Sequence, residues 1–292
     1  MKDALQRLVE QFDNGLLLEP TQLRRRLEAL DLLDANFRDT PQPASGAESN
    51  AGELYRRARA IHTRLEAVNC ELYEAIRGEI RRGATTNTLL HWAHSSLEIE
   101  DEVGPVSGMG YDFLDDLISG VFQFEEPNAE PVQRKSEMVF YQPTPARHIF
   151  SLIAQSALTA SDVFIDIGSG LGHVPLLVSI CTPARSVGIE LETLYLERAR
   201  QCAQRLNLNK VTFIQQDARG ADFSMGTVFY LYTPFTGSIL SCVLNQLRHE
   251  AATRQIRICS YGPCTSVIAE ESWLEPTVAP DTHRIALLCS RT

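Results

Sequence analysis

Residues 163–177 read VFIDIGSGLGHVPLL: an apolar run carrying Asp166, three glycines at alternate positions (Gly168, Gly170 and Gly172), then a second apolar run. Glycine gives up the most backbone freedom on folding, so three together are costly unless the chain must turn sharply or meet a ligand closely. Strand, glycine turn and helix in that order bring a helix N-terminus and a bare backbone against a bound molecule. Further strand candidates follow: SVGIE (186–190), KVTFI (210–214), TVFYLY (227–232), IRICSY (256–261), SVIAE (266–270) and HRIALLCS (283–290). Helical patterns separate the early ones, in LGHVPLLVSIC, ETLYLERARQCAQRLNL and GSILSCVLNQLRHEAAT. Near-continuous apolar strands alternating with helices predict a mostly parallel sheet covered on both faces. The expected fold class is α/β, a doubly wound seven-stranded sheet whose closely spaced last two strands make an antiparallel end.

Upstream the pattern is helical throughout. KDALQRLVEQF and PTQLRRRLEALDLLDANF space their leucines by three and four, with Pro20 and Thr21 as a helix start and Arg24, Arg25 and Arg26 as a charged face. After the Pro/Ser/Gly-rich DTPQPASGAESNAGE, residues 53–83 read as one long amphipathic helix whose arginines alternate with glutamates, the mark of a solvated face. YDFLDDLISGVFQF is another helix, and EEPNAEPVQRK is a linker by composition. The organisation expected is an all-helical region over 1–125, a linker over 126–137 and an α/β domain over 138–292.

Composition narrows the function classes. A net charge of −10 over 292 residues gives no dedicated nucleic-acid surface, which needs clustered lysine and arginine. No run of about 18 apolar residues is present to span a membrane. The opening MKDALQRLVEQFDNG has no apolar signal-type core, and seven cysteines, an odd number, form no CxxC pair, so a cytoplasmic protein with reduced thiols is expected. His91, His94 and Glu98 share a helical face, but no fourth ligand is in view and the reading is of surface histidines, with no metal expected.

The glycines discriminate between ligands. A nicotinamide dinucleotide fingerprint is G-x-G-x-x-G, which wants glycine where His173 stands. Asp166, two positions before the first glycine, would repel a pyrophosphate but would face a cation well. DIGSGLG (166–172) resembles the first motif, D/E-x-G-x-G-x-G, of the class I S-adenosylmethionine-dependent methyltransferases, which implies a Rossmann-like domain and S-adenosyl-L-methionine as cofactor. That ligand has an ammonium and a sulfonium but no phosphate, so acceptors suit it better than bare amides. The resemblance covers residues 138 to 292. It implies a cofactor turn of Asp166, Gly168, Ser169, Gly170 and Gly172. It further implies Glu190, at the end of the second strand, on the ribose hydroxyls, with Asp217 and Ala218, after the third strand, at the adenine. MVFYQPTPARHIF (138–150) resembles a segment that lies over the methionine end in several of these families, implying Tyr141 and Thr144 as a lid; Thr144 could equally cap the following helix, with Pro145 in its first turn.

The acceptor end is less marked. TVFYLY runs into TPFTG, where amino-group methyltransferases carry D/N-P-P-Y/F; Tyr232-Thr233-Pro234-Phe235 keeps one proline and the aromatic. Tyr232 and Thr233 are the candidate catalytic residues, Tyr232 also touching cofactor, with Glu270 as a carboxylate at the end of SVIAE and Trp273 beside it for stacking. His173 reads as structural. Taken together, these segments resemble distantly the non-SET histone-lysine methyltransferases and their microbial relatives. The expected activity is methyl transfer to an oxygen or nitrogen of a protein side chain or small molecule. The rivals are a non-catalytic cofactor-binding protein, an amino-group methyltransferase on nucleic acid, and an aminopropyl transferase, which would want an aspartate where Thr233 stands.

Overall fold

The computed structural model describes residues 2–39, 50–83, 89, 90, 92, 110–124, 137–139 and 141–291. Two compact units are distinguished, Met1–Gly78 with Asp116–Val121, and Glu79–Asp115 with Phe122–Thr292. The division therefore falls inside two helices rather than near residue 125. Of the expected linker over 126–137, only Glu137 is described, and His91, His94 and Glu98 lie outside the described residues. None of the described helices is long and apolar enough to cross a membrane.

In the first unit, α1 (Lys2–Asp13), α2 (Leu23–Asp39) and α3 (Asn50–Arg81) bury the leucines that their three- and four-residue spacing puts on one face, among them Leu8, Leu33 and Leu65. One expectation fails here. Arg26 is not on a wet face but fully buried, donating to Asn69 Oδ1 at 2.7 Å, to Glu19 O at 2.5 Å and to the carbonyls of Leu17 and Pro20. The 3-10 turns Leu16–Leu18 and Pro20–Gln22 leave carbonyls pointing inward, and only a long, planar five-donor head can satisfy several at once. Arg24 and Arg25 stay exposed, as a charged face requires.

The second unit is built on a seven-stranded sheet in the order β3-β2-β1-β4-β5-β7-β6. The strands are β1 (Val163–Ile167), β2 (Arg185–Glu190), β3 (Val211–Gln215), β4 (Val228–Tyr232), β5 (Arg257–Tyr261), β6 (Leu274–Pro276) and β7 (Ala286–Ser290). The first five are parallel, and β7 runs antiparallel to both β5 and β6. Around them run α5 (Ala146–Ser156), α6 (His173–Cys181), α7 (Thr193–Arg205), α8 (Gly237–Ala251) and α9 (Cys264–Ala269), while α4 (Phe113–Phe122) is divided between the two units. Side chains alternate across the sheet: Val163, Ile165, Phe229 and Leu231 pack on the α8 side, whereas Phe164, Asp166 and Tyr230 point to the other face.

SVIAE (266–270) is helix, not strand. Its β-branched residues suggest extension, but the burial of Cys264, Thr265 and Ile268 with Ser266 and Val267 exposed follows a helical period, begun by Gly262-Pro263. The sixth strand is instead Leu274–Pro276, too short to show alternation in the sequence.

At the opposite end of the sheet from the carboxyl edge, Asp162 ties three strands together. Its carboxylate accepts from the Thr159 amide and hydroxyl, from Thr227 and from Arg257, each at 2.8 Å. Burial alone would raise its pKa, but these donors outweigh it and hold the group at about 2. A depressed carboxylate stabilises the fold above its unfolded pKa and loses that contribution as pH falls. Urea midpoints between pH 2 and pH 7 are therefore expected to fall for the wild type from about pH 4 downward. Asp162→Asn should be about 2 kcal/mol less stable at neutral pH and show a flatter acid limb. Equal slopes for the two proteins would contradict the assignment.

Candidate functional site

Because β1 leads rightward through α6 to β2 while β4 lies on its other side, a crevice opens at the carboxyl ends of β1, β2 and β4, where ligands enter such sheets. The cavity there is about 310 Å³, at the lower end of the range of roughly 300–1,000 Å³ for small-molecule sites. Its floor is the glycine turn. Gly168 and Ser169 both donate to Ile189 O, hooking the turn onto the end of β2. Gly168 and Gly170 have φ of +83° and +52°. A Cβ at Gly168 would stand 2.4 Å from Pro234 Cβ, and one at Gly170 would stand 2.0 Å from the Tyr141 ring, so at both positions glycine is demanded by sterics as well as by φ.

Two carboxylates face this floor. Asp166 is buried at the end of β1, and among the described residues nothing donates a hydrogen bond to it. Desolvation first, and the neighbouring Glu190 second, push its pKa well above the usual carboxylate range. The hydroxyl of Ser169 is likewise buried with no partner. Glu190 is the opposite case: Oε2 accepts from Gly170 N at 2.8 Å, and Oε1 accepts from Leu191 N at 2.7 Å and Glu192 N at 2.9 Å. One acid is left open to a cationic partner, and the other is fixed in direction by three amides.

Tyr141 and Thr144 both line the cavity. Tyr141 lies over Gly170, its phenol oxygen 3.1 Å from His173 Nδ1 and its ring 4.9 Å from that of Tyr195. Burial lifts the Tyr141 phenol far above its ordinary value and lowers His173 to about 4, so the pair is neutral. Thr144 does not cap α5. Pro145 occupies the cap position, and the Thr144 hydroxyl meets the Tyr230 phenol at 3.0 Å. Tyr230, which the sequence did not single out, registers beside Asp166 on the same face of the sheet. Its position in β4, two before Tyr232, was the only available signal.

The remaining residues divide. Asp217 and Ala218 line the cavity edge, with the Asp217 carboxylate paired to Arg219 at 2.6 Å. Tyr232 lines it too, its ring 4.7 Å from that of Tyr261 and its phenol raised by burial to about 12. Thr233 borders the cavity at a φ of +39°, unusual for a β-branched residue, but its hydroxyl accepts from Cys264 N and donates to Tyr261 O. Its side chain thus holds the turn into α9. Glu270 does not line the cavity. It closes the far end of α9, and Trp273 donates to Glu271 instead of facing a substrate. The helical reading of 264–269 is the reason. Among the described residues no group of three or more His, Cys, Asp or Glu side chains is placed to hold a metal ion.

Residues 133–217, which carry Tyr141, Thr144, the glycine turn and both carboxylates, match the family described as histone methylation protein DOT1. No curated protein matches the chain. Among solved structures the domain is similar to an RNA methyltransferase from Salinibacter ruber in complex with S-adenosyl-L-homocysteine, at 24% identity over 51% of this chain and 92% of that one, TM-score 0.42. A putative methyltransferase from Escherichia coli is 16% identical over 51% of this chain and 87% of its own, TM-score 0.41. Magnesium protoporphyrin IX methyltransferase from Synechocystis is 15% identical over 49% and 76%, TM-score 0.37. At these scores nothing about what this chain acts on follows from these structures.

Proposed function

We propose that this chain binds S-adenosyl-L-methionine and transfers its methyl group to an oxygen or nitrogen of a protein side chain or a small molecule. The observation that carries the reading is the open, buried Asp166 carboxylate beside the amide-pinned Glu190, above a turn that admits no Cβ. A ligand with a cationic amino-acid end and vicinal hydroxyls satisfies both acids at once. When bound, the cofactor supplies a methyl group on a sulfonium. Asp166 and Ser169 would hold the amino-acid end, Glu190 would accept from the ribose hydroxyls, and Asp217 and Ala218 would flank the adenine. Tyr141 and Thr144 wall off the methionine end.

Methyl transfer is an in-line displacement, so most of the acceleration comes from positioning. Tyr232, Pro234 and Phe235 form the wall at the acceptor side. With its pKa at about 12 the Tyr232 phenol stays protonated near neutrality, which makes it a group that orients an acceptor rather than a base. Methyl-labelled cofactor incubated with protein, small amine and hydroxyl compounds, and RNA tests the reading. Label in the protein or small-molecule fraction, lost in Asp166→Asn, supports it; label in RNA alone would overturn the acceptor class. The commitment of the Thr233 hydroxyl to the turn favours a second reading, cofactor binding without catalysis. Binding with no transfer to any fraction would select it.

Asp166 also sets a pH dependence. Burial and Glu190 raise its pKa, so a cationic ligand, which favours the charged carboxylate, binds in competition with a proton there over a higher pH range than at an ordinary carboxylate. Affinity for S-adenosyl-L-methionine is expected to rise with pH through that pKa, with proton release on binding. Titrations in buffers of different ionisation heat would show this as a buffer-dependent enthalpy, absent in Asp166→Asn. A pH-independent affinity would contradict it.

A further inference from the structure

Residues 141–147 form a strap whose Gln142, Pro143 and Thr144 make one wall of the cavity. Its upstream end is tied at the strand exit, where Val139 N donates to Pro234 O and Glu137 accepts from Ser238 and Ile239 N at the start of α8. Its downstream end is tied to a segment well outside the matched 133–217 stretch. The Tyr111 phenol donates to Pro143 O at 2.6 Å, Ala146 N donates to Asp115 Oδ1 at 2.8 Å, and Arg147 Nη2 donates to Asp112 Oδ2 at 2.7 Å. The clamp side is itself rigid. Asp112 Oδ1 accepts from Leu114 N, and Asp115 Oδ2 accepts from Asp112 N, a reciprocal capping of the first turn of α4. Neither Tyr111 nor Asp115 lines the cavity.

We infer that Gly110–Asp115 is a clamp that holds the strap closed over the bound cofactor, with Tyr111 and Asp115 as its positioning residues. The inference rests on the cofactor reading above. Part of the site's support therefore comes from chain upstream of the family-like stretch. An unclamped strap would have to be ordered by the ligand itself, and that conformational cost is subtracted from affinity. Contacts between the strap and a ligand exist only once the ligand is seated, so the loss belongs mainly in the dissociation rate.

Tyr111→Phe removes one oxygen and keeps the ring. It is expected to raise both the Kd and the dissociation rate for S-adenosyl-L-homocysteine by about three- to tenfold, the range for one net hydrogen bond, with the association rate unchanged. Asp115→Asn keeps the shape but cannot accept both amides, and should act in the same direction. Tyr111→Phe carries the test alone if Asp115→Asn fails to fold. Faster ligand-bound hydrogen exchange at strap amides, with an unchanged Tm, separates positioning from general weakening. Wild-type Kd and dissociation rate in Tyr111→Phe would overturn the clamp. A wild-type protein that binds neither S-adenosyl-L-methionine nor S-adenosyl-L-homocysteine would instead overturn the cofactor reading, and the clamp with it.

Discussion

Replacing Glu190 by alanine is expected to raise the Kd for S-adenosyl-L-homocysteine by about 100-fold or more. The carboxylate is held by Gly170 N on one oxygen and by Leu191 N and Glu192 N on the other, so its direction is set before any ligand arrives. Hydrogen bonds to a charged group are worth about 1.5–3 kcal/mol each, and two ribose hydroxyls lost together pass the roughly 2.8 kcal/mol that a hundredfold change requires. The substitution also strips the Gly170 amide of its acceptor and loosens the turn beneath the ligand. Glu190→Gln keeps the length and one acceptor oxygen and should lose about tenfold. Calorimetric titration of the three proteins, each checked by circular dichroism, would show the series; an alanine variant that binds within threefold of wild type would contradict the role.

The second large effect lies in the first unit. Arg26→Met is expected to destabilise the first unit by about 3–5 kcal/mol, since several buried acceptors lose a donor at about 1–3 kcal/mol each. Methionine fills the space but leaves Asn69 Oδ1 and the carbonyls of Leu17, Glu19 and Pro20 without their donor. Arg26→Lys should recover little, since one ammonium cannot reproduce the guanidinium fork. Hydrogen exchange of amides in α2 and α3 reads this unit separately from the sheet. Protection factors within a few-fold of wild type in Arg26→Met would show that the network carries little stability.

These two residues also mark what the sequence shows and what it hides. The place of Glu190 was readable because the motif resemblance expects an acid at the end of the second strand, one βαβ unit after Asp166, and Glu190 does line the cavity. The mostly parallel, doubly wound sheet was legible in the alternation of apolar strands and helices, whereas its strand order is seen only in the structure. Arg26 was not readable. Between Arg24 and Arg25 on one side and leucines on the other, nothing local tells a solvated arginine from one folded under carbonyls contributed by residues 17–20. The same holds for Thr144 and Tyr230, whose pairing joins positions 86 residues apart. SVIAE misled because β-branched residues favour strands on average, whereas here the packing of Cys264 and Ile268 decided for helix. Glu270 was assigned its place at the site through that strand and is displaced with it.

The most direct test of the central claim is calorimetric titration of the intact wild-type protein with S-adenosyl-L-methionine, S-adenosyl-L-homocysteine and NAD in parallel. The open Asp166, the pinned Glu190 and the glycine floor predict saturable one-to-one binding of the first two and none of NAD. Binding of NAD alone, or of no ligand, would mean that the turn over residues 166–172 serves another purpose, and the account would be wrong at its centre.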